Sequence, residues 1–198
     1  EDLLLRHGLY PQVQQALSEL AKRVKDVAIV VGYPMMDALG ERFNMAAWIH
    51  DGLIQATYKK QHLANYGVFD QQRYFSSGKK PCVIEFKGIH FGLLIGEDIS
   101  RPDPVIQTAA AGAKVILNLN GSPFHVENYH ERLEVARRRL DEVKLPLIYV
   151  NQVGGQDELV FDGGCFAMDA DGQIQVQAKE FEVDLIPVEL VKQADNLL

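Results

Sequence analysis

Between Lys114 and Val150 the chain sets an apolar run (Lys114 to Asn120), a long charged amphipathic stretch (Glu127 to Val143) and a second apolar run (Leu145 to Val150) in sequence. The short apolar runs suit buried strands and the charged stretch suits a helix with one apolar stripe. Two strands joined through a helix belong to a layered core with a crossover, which excludes a helix bundle and a sheet made only of hairpins. Hairpins are nevertheless expected upstream. Asn44 to His50 and Leu53 to Lys59 flank Asp51-Gly52, while Pro81 to Phe86 and His90 to Ile95 flank Lys87-Gly88, and two-residue turns of this kind favour tight antiparallel pairing. Val13, Leu17, Leu20 and Val24, following Pro11, predict an amphipathic helix ending near Lys25. The run Val27 to Gly32 predicts a core strand covered on both faces, and Pro104 to Ala111 reads as helix. A last hairpin is expected from Glu158 to Met168 and Gln173 to Ala178 around Asp169 to Gly172, and Val188 to Leu198 is expected to begin a connecting helix. Hairpins and crossovers together predict a mixed α/β fold.

At 198 residues, with 47% hydrophobic and 24% charged side chains, the chain fits one globular domain with a substantial core. No apolar run is long enough to span a bilayer, so no membrane partner is expected. Twenty basic residues against twenty-seven acidic ones give a formal charge of −7. The bases form no long run, which argues against nucleic acid as a partner. Two cysteines, Cys82 and Cys165, and no signal peptide point to the cytoplasm. The chain opens inside an apolar segment without a methionine, so an incomplete N-terminus is expected.

Four places carry residues able to do chemistry. Lys59 and Lys60 close a strand, where neighbours point to opposite faces, so one of them faces inward; an alternative is a lysine pair in solvent. The segment Asn65 to Phe75, NYGVFDQQRYF, packs four aromatics into eleven residues. It reads either as a loop folded over a pocket or as a well-packed loop holding an Arg73–Asp70 pair. Asn118 to Phe124 ends a strand with small polar groups suited to an amide or carboxylate, at the carboxyl edge where α/β sheets bind ligands, although ordinary turn chemistry explains it equally. His90 to Ser100, HFGLLIGEDIS, reads as a buried strand running into an acidic elbow whose bend is Gly96. The six histidines form no metal set, His125 and His130 being five apart without an acidic or cysteine partner at a familiar spacing. Walker, dinucleotide-glycine and GxSxG motifs are missing.

Five stretches in order, EDLLLRHG, YKKQHLANYGVFDQQRYF, FGLLIGEDIS, LNLNGSPFH and YVNQVGGQDELVFDGG, resemble the carbon-nitrogen hydrolase (nitrilase) superfamily. The resemblance is to the glutamine amidohydrolase domain of bacterial glutamine-dependent NAD synthetases, and it covers nearly the whole chain. It implies a nitrilase-like four-layer α-β-β-α sandwich over residues 1–198, N-terminally incomplete, with a synthetase domain outside this chain. It also implies a Glu-Lys-Cys triad that releases ammonia from glutamine for ATP-dependent amidation of nicotinic acid adenine dinucleotide. No cofactor is expected in this domain. ATP and Mg are expected in the synthetase domain, since the SGGxDS signature is missing here. Homo-oligomers are common in the family.

Carried over, the family lysine falls on Lys60, the serine expected at the substrate on Ser122, and Tyr66 and Glu97 are expected near the substrate. The nucleophilic cysteine's position is Gly96. Ala64 stands where Pro is usual, Gln71 where Glu is usual, Asn128 where a basic residue is common, and the triad glutamate is expected before Glu1. Neither Cys82 nor Cys165 is expected to replace the nucleophile. Hydrolysis should therefore be abolished or severely reduced. The alternatives are a non-catalytic pseudo-amidase scaffold for an ammonia-using synthetase, and a free-standing amidase, against which Tyr149 to Gly164 argues.

Overall fold

The structure, a computed structural model, describes residues 2–193 and 196–197. The chain folds into two compact units, residues 1–82 and 83–198.

In the first unit α1 spans Leu9–Arg23. Its stripe of Leu17, Leu20 and Ala21 packs with Val24 on Ala47 and Ile49, joined by Ile29, Val31 and Tyr33. Each large aliphatic side chain buried in this way contributes about 2 kcal/mol. The helix stops as Val24 turns extended and Asp26 adopts φ +61°. The exit is tied to the next hairpin, where Gly52 N–H donates to Val24 O at 3.0 Å. Strands β1 (Ala28–Met36), β2 (Arg42–His50) and β3 (Leu53–Lys59) form an antiparallel sheet in that order. The turn between β2 and β3 places Asp51 and Gly52 at φ +47° and +79°, the type I′ geometry expected of Asp-Gly.

One expectation is corrected here. The strand beginning near Val27 is longer than expected and lies at the sheet edge, half-buried for most of its length, with Val27 itself exposed. The buried strand is β2, whose residues from Met45 to Ile49 are all shielded. Pro34, within β1, has no N–H to give a ladder and marks an edge strand.

In the second unit β4 (Val83–Phe86), β5 (Ile89–Ile95), β6 (Val115–Asn120), β7 (Leu147–Asn151), β10 (Phe166–Met168) and β11 (Ile174–Gln177) form a six-stranded sheet ordered β11-β10-β7-β6-β5-β4. The strands β5, β6 and β7 are parallel and the outer pairs antiparallel. The crossovers are α3 (Pro102–Ala110) and α4 (Asn128–Val143), as the strand–helix–strand order requires. Gly92 of β5 lets α3 approach, because a Cβ there would lie 2.1 Å from Thr108 Cγ2.

Two further corrections concern the C-terminal third. Glu158 to Met168 is not one hairpin strand. Val153–Gln156 (β8) and Leu159–Asp162 (β9) form a separate two-stranded ribbon, and Gly163 and Gly164, at φ +70° and +59°, break the chain before it re-enters the sheet as β10. Only β10 and β11 form the expected hairpin. Residues 188–191 have no regular structure, and Lys192–Gln193 pairs as strand with Asn196–Leu197, so the described part of the expected C-terminal helix is not helical; Ala194, Asp195 and Leu198 lie outside the described residues. Among the described residues no helix is long and apolar enough to cross a membrane.

Candidate active site

Lys59 and Lys60 separate as strand alternation demands. Lys59, half-buried, sets its Nζ 3.4 Å from the centroid of the buried Phe43 ring, a cation–π contact. Lys60 is only 4% exposed. Its backbone is fixed on both sides, N–H to Asn44 O at 2.9 Å and C=O from Gly78 N–H at 2.8 Å. Its ammonium donates to Gln71 Oε1 at 2.8 Å, and the same oxygen accepts Ala64 N–H at 3.2 Å. Two of the departures noted in the sequence, Ala64 and Gln71, thus meet at this buried lysine.

Gln71 opens the short helix α2 (Gln71–Tyr74) and folds the aromatic segment back through its own N–H to Ala64 O at 2.9 Å. Tyr66 is 57% exposed and lies edge-on to Phe69, with ring centroids 6.2 Å apart. Arg73 and Asp70 do pair, at 3.8 Å, with both side chains largely in solvent. An exposed pair of this kind contributes well under about 1 kcal/mol, so the Lys60–Gln71–Ala64 contacts, not the ion pair, hold the segment.

In the second unit β5 ends at Ile95 and the chain turns through a 3-10 segment, Gly96–Ser100. Gly96 has φ +52°, a left-handed conformation that glycine takes without the Cβ penalty. The elbow is fastened by its neighbours. Asp98, fully buried, accepts Ile95 N–H at 3.2 Å, and Asn118 Nδ2 reaches Gly96 O at 3.4 Å and Asn120 Oδ1 at 2.9 Å. Glu97 is half-buried, with the Ser100 hydroxyl 2.6 Å from its Oε1.

Ser122 follows β6 and is the centre of a polar cluster. Its N–H donates to Asn151 Oδ1 at 2.9 Å and its C=O accepts Asn151 Nδ2 at 3.2 Å. Its hydroxyl oxygen accepts Arg132 Nε and Asn128 Nδ2, each at 3.2 Å. Arg132, in turn, forms a two-pronged pair with Asp162, at 2.8 Å on both arms, with side chains 4% and 1% exposed. Asn128 Nδ2 also donates to Pro123 O. Tyr149 lies beneath, stacked on Phe166 at 4.6 Å. Burial pushes its phenol far above the ordinary value, against the opposing pull of Arg132 and a hydrogen bond with Ser122.

The expected site residues therefore fall in two groups. Lys60 and Tyr66 belong to the first unit; Gly96, Glu97 and Ser122 belong to the second, gathered at the carboxyl ends of β5 and β6. The sequence reading gave no role to Asp98, Asn151, Arg132 and Asp162, and took Asn118 only as part of a small polar strand end. Signals existed for some. Arg132 shares the stripe of Ala136 and Leu140 on α4, where an arginine is out of place unless paired, and Asn118 interrupts an apolar strand. Both cysteines are constrained by their surroundings: burial pushes the Cys82 thiol up, and Cys165 Sγ is tied to Asn151 N and O at 3.2 and 3.3 Å. Among the described residues no group of three or more His, Cys, Asp or Glu could hold a metal ion.

Residues 10–194 match the family model described as carbon-nitrogen hydrolase. The chain belongs to the carbon-nitrogen hydrolase family. It is 40% identical over 185 residues, 93% of its length, to the glutamine-dependent NAD(+) synthetase of Acinetobacter baylyi, covering 34% of that protein. Among solved structures it resembles glutamine-dependent NAD+ synthetase from Acinetobacter baumannii, solved with ADP, with a TM-score of 0.89 and 40% identity over 93% of this chain and 35% of that one. An amidase variant from Nesterenkonia sp. AN1, with a covalent acetamide moiety at its active site cysteine, gives a TM-score of 0.75 at 28% identity over 85% of this chain and 64% of that one. The fold is thus the nitrilase-like α/β fold expected, and this carbon-nitrogen hydrolase chain spans about a third of the length of the synthetases it matches.

Proposed function

We propose that this chain is the glutamine amidohydrolase part of a glutamine-dependent NAD synthetase, with hydrolysis abolished or severely reduced because Gly96 occupies the nucleophile's position. The observation that carries the reading is the glycine itself. It stands at the bend of an otherwise complete acidic elbow, in a chain 40% identical to a glutamine-dependent NAD(+) synthetase. In the chemistry implied by the family, a carboxylate takes the cysteine thiol's proton as the sulfur adds to the glutamine carboxamide, returns it to the nitrogen so that ammonia leaves as the tetrahedral adduct collapses to a thioester, and water then cleaves that thioester to glutamate. A lysine ammonium favours the thiolate and the developing oxyanion. Lys60, buried and anchored, supports that role here; Tyr66, Glu97 and Ser122 are assigned to the substrate side. Glycine has no atom to make the thioester. ATP and Mg2+ are assigned to a synthetase portion outside this chain, which would use the ammonia, and assembly as a homo-oligomer is proposed with them.

A second reading, a scaffold without amidase chemistry, is favoured by one specific observation. Lys60 Nζ meets the neutral Gln71 and Asn128 is turned inward onto Ser122 and Pro123, so the departures reach beyond the nucleophile. The deciding experiment measures glutamate release from glutamine by the natural full-length protein and its Gly96→Cys variant, alongside ammonium-driven NAD synthesis. Glutamate release only from the cysteine variant establishes the first reading. Ammonium-driven synthesis with no glutaminase in either form establishes the scaffold, and glutaminase in the glycine form as fast as in the cysteine variant refutes both.

A further inference from the structure

The Ser122–Pro123 turn has no regular structure of its own, yet three separate elements grip it. Asn151, at the end of β7, lays its amide alongside the Ser122 backbone as a neighbouring strand would, donating to the carbonyl and accepting from the N–H. Arg132, from α4, reaches the Ser122 hydroxyl through Nε at 3.2 Å, and its Nη2 donates to Ser122 O at 3.0 Å and Pro123 O at 3.3 Å. Asp162, at the end of β9, takes the remaining arms of the guanidinium. A guanidinium is planar with five donors in fixed directions, so a carboxylate on one side sets the orientation of the other. The arrangement is a relay. Asp162 orients Arg132, and Arg132 orients Ser122.

We propose that Asp162, Arg132 and Asn151 are positioning residues that hold the Ser122 turn at the carboxyl end of β6 in its working geometry. The inference rests on the reading that Ser122 lies on the substrate side. Surface ion pairs hold little, but here both partners are shielded from water and every arm of the guanidinium is committed, so removing one charge leaves the other buried without its partner. The turn is then free to move relative to β6. Displacements near 1 Å at a substrate-holding group are enough to cost large factors in turnover or binding.

The test uses the full-length protein with Asp162→Asn, which preserves shape and removes the charge, and Arg132→Lys, which preserves charge and removes the fork. Hydrogen exchange is followed separately in peptides covering 120–126 and 113–119. Exchange across 120–126 is expected to accelerate roughly tenfold in both variants, with the β6 peptides unchanged, as local opening without global unfolding. Equal acceleration in both peptides, or none in either, overturns the relay. In the Gly96→Cys background, Asp162→Asn is expected to raise KM for glutamine about fivefold or more, with kcat changed less, and Asp162→Glu to recover part of that loss. An unchanged KM overturns the positioning role. If Gly96→Cys shows no glutaminase, the proposed function fails while the exchange measurement still decides the relay.

Discussion

Replacing Gly96 by residues carrying a Cβ should reveal the backbone conformation of the elbow independently of any activity. At φ +52° a Cβ crowds the neighbouring carbonyl, at a cost of about 1–2 kcal/mol for an ordinary L-residue. In a domain of about this size 1 kcal/mol moves the unfolding midpoint by about 2–4 °C, so Gly96→Ala should lower it by about 2–8 °C. Gly96→Asn should lose less, because asparagine tolerates the left-handed region. Gly96→Cys carries the same backbone penalty as alanine, and any difference between those two variants isolates what the thiol itself contacts. Differential scanning fluorimetry of the four proteins at matched concentration is sufficient. Unfolding of the alanine and asparagine variants at the glycine protein's temperature would show that the elbow does not hold residue 96 in the left-handed region.

Gly92→Ala should destabilise the second unit by about 1–3 kcal/mol through overpacking, because the new methyl lands 2.1 Å from Thr108 Cγ2 and 3.0 Å from Ala113 Cβ. Adding Thr108→Ser should return part of the loss in a double-mutant cycle read by urea denaturation. Cys82 should react with iodoacetamide more slowly at pH 8 than a free cysteine, since burial raises its thiol above the ordinary 9.0. The folded state holds that proton more tightly, so this stabilising contribution is complete below pH 9.0 and declines as pH rises through the folded value. A Cys82→Ala variant should lose less stability than the parent between neutral pH and that window.

What was legible from the sequence depended on how local the signal was. The helix α1 and the two hairpin turns are set by residues within a few positions of one another, and they fold where expected. Strand alternation called for one inward lysine of the pair, and the family resemblance put it at Lys60. The edge position of β1 was written in Pro34, but a continuous run of β-branched residues outweighed it, since such a run suits either a central strand or an edge strand half-covered by a helix. The break at Gly163 and Gly164 looked like strand because the flanking Val160, Phe161 and Phe166 are good strand residues; the two left-handed glycines send the two halves to different sheets. The relay around Ser122 joins residues 29 and 30 positions apart, and no spacing rule connects an arginine on one helix to an aspartate at the end of a distant ribbon.

The same distinction bears on what the glycine at the elbow means. Asp98 holds the elbow through the Ile95 N–H and Asn118 holds it through the Gly96 carbonyl; both contacts are to backbone and neither depends on the side chain at residue 96. A reactive cysteine can therefore be lost from this position while the turn keeps its shape, and retention of the fold carries no information about retention of chemistry. The groups that do discriminate are those whose charge a working amidase would need. At Lys60 one partner oxygen belongs to Gln71, and a neutral amide stabilises a buried ammonium less than a carboxylate at that place would. If the chain lost only its nucleophile, Gly96→Cys alone should restore glutamate release. If it drifted after that loss, restoration should require Gln71→Glu as well, and the order in which the two substitutions recover activity separates a missing side chain from a remodelled pocket.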